Sequence, residues 1–148
     1  MNNLEFIKRI QHFFDECILE IKRKNPDYSH QDVPLYDMFH TAFEEDVPPE
    51  SVLRVLLTKH WSAIRAWTSG KKLSSETIDG RLTDSANYIG FLAMLSDEDG
   101  PALVDAIIQH VERKMHRAVN QVTVPIEEDD VKFWTWMCMF REAAFGKR

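Results

Sequence analysis

The spacing of apolar residues constrains this chain more than any other feature, because it is helical over almost the whole length. In the first segment, apolar residues recur every three or four positions, as on one face of a helix: Leu4, Ile7, Ile10, Phe14 and Ile18. The same period returns in five later segments, which are separated by stretches rich in Pro, Gly, Asp and Ser. No stretch alternates apolar and polar residues for long enough to predict a sheet. The pattern predicts an all-α fold, a bundle of about six helices in a single domain.

Proline and capping residues set the expected ends of these helices. The first helix is predicted to end near Arg23, because Pro26 opposes its continuation and residues 24–33 are polar and turn-rich. The last helix is expected to begin at a cap formed by Asp129 or Asp130.

Composition excludes several classes of function. A chain of 148 residues can bury its own core, and its 18 basic and 24 acidic residues give a formal net charge of −6. That charge opposes general binding to nucleic acids or anionic membranes. The sequence also has neither the apolar run of about 18 residues that a membrane span needs nor the apolar stretch of a signal peptide. We therefore expect a cytoplasmic protein that binds neither a membrane nor nucleic acid in general.

The cysteines and histidines show no spacing typical of metal ligands. Cys17 and Cys138 lie within apolar helical patterns, which indicates reduced core residues. His60 falls on the apolar face of its predicted helix, and the simplest interpretation is a hydrogen-bonded histidine in the core or at its rim.

The fourth predicted helix, which Ser74 or Ser75 is expected to cap, carries unusual polar residues. Asp84, Asn87 and Tyr88 project from neighbouring turns of a helix whose second half is largely apolar. A carboxylate in such a place must be paired, hydrogen-bonded or metal-bound, because isolated burial costs several kcal/mol. Two interpretations of Asp84 stay open: a structural ion pair with a lysine or arginine of a neighbouring helix, or a pocket carboxylate that holds a cation or a polar ligand.

Basic residues near this helix are candidates for a phosphate site. Lys59 lies on the third helix, Arg81 on the fourth, and Lys71 and Lys72 between them. A pocket with Asp84 on one wall and Lys59 or the lysine pair on another suits a nucleotide. The cations would contact phosphate, and the carboxylate would contact base, sugar or Mg²⁺. The alternative for the lysine pair is a solvated loop.

The order of these motifs resembles a known phage family. The sequence KNPDYS at 24–29 is followed by the helix that carries Lys59, and the pattern E-x-x-x-x-R-x-x-D-x-x-N-Y runs over 76–88. Together they resemble nucleotide modification associated domain 1, over about residues 1–96. Residues 97–148 fall outside the resemblance and are expected to form a two-helix extension packed on that core. The resemblance implies a nucleotide-binding or nucleotide-processing protein of a phage, acting in the cytoplasm of the host cell.

The resemblance also implies site residues. The matching positions for a nucleotide or small phosphate ligand are Lys24, Asp27, Tyr28, Lys59, Arg81, Asn87 and Tyr88. Glu76 and Asp84 match as ligands of Mg²⁺. The family is distantly similar to the all-α, MazG-like nucleoside-triphosphate pyrophosphatases, which bind Mg²⁺ through an E-x-x-E pair and an E-x-x-D pair. Here the second pair reads Arg81-x-x-Asp84 and the third helix has no E-x-x-E, so the resemblance implies nucleotide binding with or without pyrophosphohydrolase turnover.

A second interpretation is a non-enzymatic phage protein that binds a host factor or sequesters a nucleotide signal as counter-defence. The negative net charge and the aromatic residues Trp134 and Trp136 suit a protein partner. Residues 131–145 place Phe, Trp and Met on more than one side of a helix, which predicts an assembly surface between copies of this chain. The alternative for this helix is burial on all sides by its own domain. A third interpretation is an accessory subunit without a pocket.

Overall fold

The structure, a computed structural model, describes residues 2–28, 33–96, 98–120 and 126–146, with the backbone alone for 25–28. Its helices are α1 (Asn3–Tyr28), α2 (Tyr36–Glu44), α3 (Pro49–Thr68), α4 (Ile78–Ser96), α5 (Gly100–Asn120) and α6 (Glu128–Phe145). The prediction of an all-α, six-helix bundle is confirmed. Among these six, no helix combines the length and the apolar character that crossing a membrane requires.

The first helix is longer than predicted. The backbone of α1 stays helical through Pro26 to Tyr28, so the loop expected over 24–33 is wrong for its first part, and residues 29–32 lie outside the described ranges. Pro26 removes one N–H from the helix ladder. Tertiary contacts offset that loss, because Lys24 pairs with Asp84 of α4 one turn from the end of α1.

The predicted starts of the fourth and sixth helices are also wrong. Thr77, rather than Ser74 or Ser75, caps α4: its Oγ1 accepts a hydrogen bond from the N–H of Gly80 at 3.2 Å. In α6, Glu127 occupies the N-cap position, and the two aspartates expected there lie in the first turn instead. Carboxylates in a first turn are favourable in either case, because they face the positive end of the helix dipole.

The helices pack in two connected groups. α3 lies against α4, α1 packs on α4, and α2 packs on α3, whereas α5 and α6 pack on each other and reach α4 and α2. One apolar core runs through both groups, and its most deeply buried side chains include Phe39, Leu53, Val104, Ile107 and Phe133. The members from α2, α3 and α5 fall on the apolar face that the helical period predicts, whereas α6 carries apolar residues on more than one side.

The turn from α4 into α5, on which the end of α6 packs, requires a glycine. A Cβ on Gly100 would lie 2.7 Å from the carbonyl oxygen of Leu95 and 3.0 Å from the ring of Phe145. Real Cβ atoms do not approach backbone this closely, so the turn from α4 into α5 can close only because the side chain is absent, and the ring of Phe145 packs against the same open space.

The aromatic side chains of α6 are used mainly within the chain. Phe133 and Met137 are fully buried, and the ring of Trp136 stacks between those of Phe133 and Phe140. Trp134 donates a hydrogen bond from Nε1 to Glu112 at 3.1 Å. One side of α6 is thus packed against α2 and α5, whereas Val131 and Met139 stay 43% and 67% exposed. The helix is not buried on all sides, and assembly through 131–145 stays a prediction.

Candidate functional site

Five titratable side chains meet where α1, α3 and α4 come together. We call them the polar cluster: Lys24, His60, Glu76, Arg81 and Asp84. α1 supplies the lysine, α3 the histidine, α4 the arginine and the aspartate, and the α3–α4 connection the glutamate. His60, Arg81 and Asp84 are 3%, 8% and 9% exposed, so the centre of the cluster is withdrawn from water.

Asp84 is held by a cation from another helix. Its Oδ1 accepts a hydrogen bond from Nζ of Lys24 at 2.9 Å, and Lys24 also lies 3.2 Å from Oε1 of Glu20. Burial lowers the pKa of Lys24, but the hydrogen bonds to Asp84 and Glu20 outweigh burial and leave the pKa above its ordinary value. Of the two interpretations of Asp84, the ion pair with a neighbouring helix is therefore the one that the geometry displays.

His60 lies between the two charges of α4. Its Nδ1 is 3.5 Å from Nη1 of Arg81, and its Nε2 is 3.9 Å from Oδ2 of Asp84. A guanidinium only donates, so contact with Nδ1 requires that nitrogen to be unprotonated and assigns the ring proton to Nε2, on the side of Asp84. The ring of Tyr88 covers the imidazole with centroids 5.5 Å apart. Burial lowers the pKa of His60, against the smaller opposing effect of Asp84.

Arg81 connects the buried part of the cluster to its solvent-facing edge. Its Nε lies 2.9 Å from Oε2 of Glu76, but the N–H does not point at that oxygen, so the contact is an ion pair rather than a hydrogen bond. Nη2 donates to Oγ of Ser75 at 3.4 Å. The side chain of Glu76 is 37% exposed, which leaves this carboxylate open to a ligand outside the core.

The lowered pKa of His60 predicts a pH dependence of stability. Its pKa in the folded chain is below the ordinary 6.5, so below that pH the unfolded chain binds the proton more readily. The free energy of unfolding should therefore fall as the pH drops below about 6.5, and this contribution should be flat above it. Urea unfolding of the wild type and of His60→Gln at several pH values measures the effect. Equal slopes for both proteins between pH 7.5 and 5 would contradict it.

An open cleft adjoins the polar cluster. We call it the connection cleft; its lining is Trp67 together with residues 70–78, and its volume is about 650 Å³. Lys71 and Lys72 lie on its wall, and Trp67 presents a half-exposed indole. Ser75 and Glu76, which contact Arg81, also line it. The cleft and the buried cluster therefore share a wall.

The structure brings together only part of the predicted set. Five of the predicted residues belong to the polar cluster or contact it: Lys24, Glu76, Arg81, Asp84 and Tyr88. Asn87 is buried one turn further along α4, whereas Lys59 lies on the exposed side of α3 and makes no hydrogen bond or ion pair with any described residue of the cluster. The side chains of Asp27 and Tyr28 lie outside the described residues. His60 also belongs to the cluster, although no sequence motif identified it as a site residue. The feature of the sequence that could have indicated it is its position on the apolar face of α3.

The fit of Mg²⁺ can be tested on the donor atoms of the cluster. His60, Glu76 and Asp84 each offer one ligand atom, and these atoms lie within 4.8 Å of one another. In a Mg²⁺ site with bonds of about 2.1 Å, two ligand atoms on opposite sides of the ion are about 4.2 Å apart. Donor atoms of the cluster that are farther apart than this would have to move closer together to bind the ion. Both carboxylates already hold cations, Lys24 and Arg81, and an imidazole suits zinc better than magnesium. The cluster as it stands fits a resident Mg²⁺ ion poorly.

Comparison of this chain with models of protein families, with curated proteins and with solved structures finds no match. The resemblance to nucleotide modification associated domain 1 stays a prediction that depends on the motifs at 24–29 and 76–88. Function is therefore inferred from the polar cluster and the connection cleft.

Proposed function

We propose that this protein binds a nucleotide, or a related small molecule with phosphate groups, in the connection cleft. The observation that carries the proposal is the lining of that cleft, which combines Lys71 and Lys72 with an accessible indole, Trp67. Its volume of about 650 Å³ is within the range of 300–1,000 Å³ that is usual for small-molecule sites.

Each part of a nucleotide has a chemical counterpart in the cleft. Lys71 and Lys72 supply positive charge for phosphates, and the hydroxyl groups of Ser74 and Ser75 supply donors. The cleft also ends at the start of α4, where backbone N–H groups and the helix dipole favour an anion. Stacking on Trp67 suits a base, because an indole face binds any nucleobase.

The polar cluster gives this cleft a rigid wall and favours binding over turnover. Arg81 contacts both Ser75 and Glu76, so two lining residues are tied to the buried end of α4. Hydrolysis in the manner of the pyrophosphatases needs carboxylates that converge on metal ions. Here Asp84 and Glu76 are engaged by Lys24 and Arg81, so we propose a binding protein that retains its nucleotide rather than a hydrolase.

Removal of the two cleft lysines should weaken nucleotide binding strongly. A hydrogen bond to a charged group contributes about 1.5–3 kcal/mol, so Lys71→Ala combined with Lys72→Ala should raise the dissociation constant more than tenfold. Isothermal titration calorimetry with deoxynucleoside triphosphates, monophosphates and cyclic nucleotides, each with and without Mg²⁺, measures this effect. The matched control is Arg113→Ala with Arg117→Ala on exposed positions of α5, which removes the same charge elsewhere and should leave binding unchanged.

A substitution at Trp67 tests recognition of the base separately from recognition of the phosphates. Trp67→Leu should weaken binding of a nucleoside triphosphate about tenfold, because base stacking on an aromatic ring contributes about 1–3 kcal/mol. Inorganic triphosphate, which has no base, should bind both proteins equally. No binding heat and no thermal shift with any nucleotide at millimolar concentration would contradict the proposal, as would an equal loss of binding in the double-arginine control.

A second candidate function is that of a non-enzymatic interaction protein. The observation that favours it is a set of exposed apolar side chains outside the cleft, among them Val55 and Trp61 of α3 and Ile89 of α4. Extensive exposed apolar surface is typical of contact surfaces. This candidate function is favoured if none of the tested nucleotides binds while the purified protein binds another protein.

A further inference from the structure

No described residue of the chain covers the first half of α1. Every residue from 2 to 12 is exposed, although the segment carries a continuous apolar face. We call this face the α1 stripe: Leu4, Ile7, Ile10, Phe14 and Ile18. Four of its members are more than half exposed, and Ile10 is 44% exposed.

Within the described ranges, the second half of α1 is the part that packs on the bundle. Cys17 is 4% exposed, and Lys24 pairs with Asp84, so α4 lies against this half of the helix. An isolated helix of a dozen residues is only marginally stable in water, and helices in proteins depend on packing of their apolar face. The α1 stripe therefore needs another surface against it.

We infer that the α1 stripe pairs antiparallel with the same stripe of a second copy of this chain. Four of its residues fit a heptad in which Leu4 and Ile18 share one core position with Gln11, and Ile7 and Phe14 share the other with the half-buried Ile21. Ile10 flanks this seam on the side of Cys17. In one antiparallel register Leu4 faces Ile21, Ile7 faces Ile18 and Gln11 faces Phe14 of the second copy. A two-fold axis makes each contact twice, so the stripe is complementary to itself.

Charge selects this register over its neighbours. Lys8 and Asp15 occupy the same flanking position in successive heptads, on the side of the stripe opposite to Cys17, which is buried, and Lys24, which pairs with Asp84 of α4. In the proposed register Lys8 faces Asp15 of the second copy, and the symmetry repeats the pair. A shift by one heptad in either direction would place Lys8 against Lys8 or Asp15 against Asp15, and like charges at such positions oppose pairing.

The charges of α1 favour a second copy over a membrane surface. The helix contains five acidic residues (Glu5, Asp15, Glu16, Glu20, Asp27) and five basic ones (Lys8, Arg9, Lys22, Arg23, Lys24), so its net charge is zero. Amphipathic helices that bind anionic lipid carry an excess of Lys and Arg on the polar face. A balanced pattern instead suits a partner with the same alternation of charges.

Charge reversal across the stripe tests the inference. Sedimentation velocity at about 50 μM should give the mass of two chains for the wild type. Lys8→Glu and Asp15→Lys should each weaken the dimer about tenfold, because two attractive contacts become repulsive. A mixture of the two variants should recover the dimer as one chain of each, since both contacts between positions 8 and 15 then join opposite charges again. Phe14→Asp should weaken the dimer about a hundredfold in every background, because it buries a charge in the apolar seam.

Matched controls lie on the outer side of the same helix. Arg9→Glu and Glu16→Lys reverse charges one position along from Lys8 and Asp15, and they should leave the dimer unchanged. A single-chain mass for the wild type at 50 μM would overturn the inference, including the case in which the monomer binds anionic vesicles. A dimer that withstands Lys8→Glu, Asp15→Lys and Phe14→Asp would also overturn it, because it would assemble through another surface.

Discussion

Asp84→Asn should lower the free energy of unfolding by about 3 kcal/mol, the lower end of the cost of breaking a buried ion pair. The variant keeps the volume of the side chain but removes the charge that faces Nζ of Lys24 at 2.9 Å. Lys24 would still form its ion pair with Oε1 of Glu20 at 3.2 Å, which limits the loss of stability. Urea unfolding monitored by circular dichroism measures it.

The control for this experiment is Asp79→Asn, which removes a carboxylate from the exposed first turn of the same helix and should cost less than about 1 kcal/mol. A double-mutant cycle with Lys24→Met should show a coupling of about 1–3 kcal/mol between positions 24 and 84. Nucleotide binding in the connection cleft should change little. A variant that loses binding while its stability is unchanged would instead make Asp84 a ligand residue and reject the structural ion pair.

Phe133→Ala should lower the free energy of unfolding by about 3–5 kcal/mol, because it leaves a cavity at the centre of the core. Phe133 is 1% exposed, and its ring lies 5.0 Å from that of His40 and 5.4 Å from those of Tyr36 and Phe43, measured between centroids. These contacts join α6 to α2, so the loss should affect the whole unfolding transition rather than the end of the chain alone.

Met139 provides the control on the same helix. It is 67% exposed, and Met139→Ala should cost less than about 0.5 kcal/mol. If Phe133→Ala is too unstable to purify, Phe133→Leu retains most of the volume and should cost less than about 2 kcal/mol. A loss below 1 kcal/mol for Phe133→Ala would show that α6 is not an integral part of the core.

The positions of the helices followed from local chemistry and could be predicted. The start of α3 at Pro49 and its end at Thr68 agree with the sequence pattern, because proline is favoured in a first helical turn and Gly70 adopts the positive φ of a turn beyond the helix. The failures lie at helix ends: Pro26 did not stop α1, and Thr77 rather than a serine capped α4. A cap preference amounts to about 1 kcal/mol and the cost of a proline inside a helix to about 3 kcal/mol, amounts that tertiary contacts can override.

The sequence by itself determined that the chain is helical, which residues share an apolar helix face in α2, α3 and α5, and that the carboxylate at position 84 needs a partner. Tertiary structure decided that the partner is Lys24, sixty residues away, and that His60 lies between Asp84 and Arg81. Tertiary structure also turned the aromatic residues of α6 inward and left the α1 stripe exposed. The physical reason is that helical periodicity is set by neighbours three and four residues apart, whereas the meeting of two helices depends on the packing of the whole core.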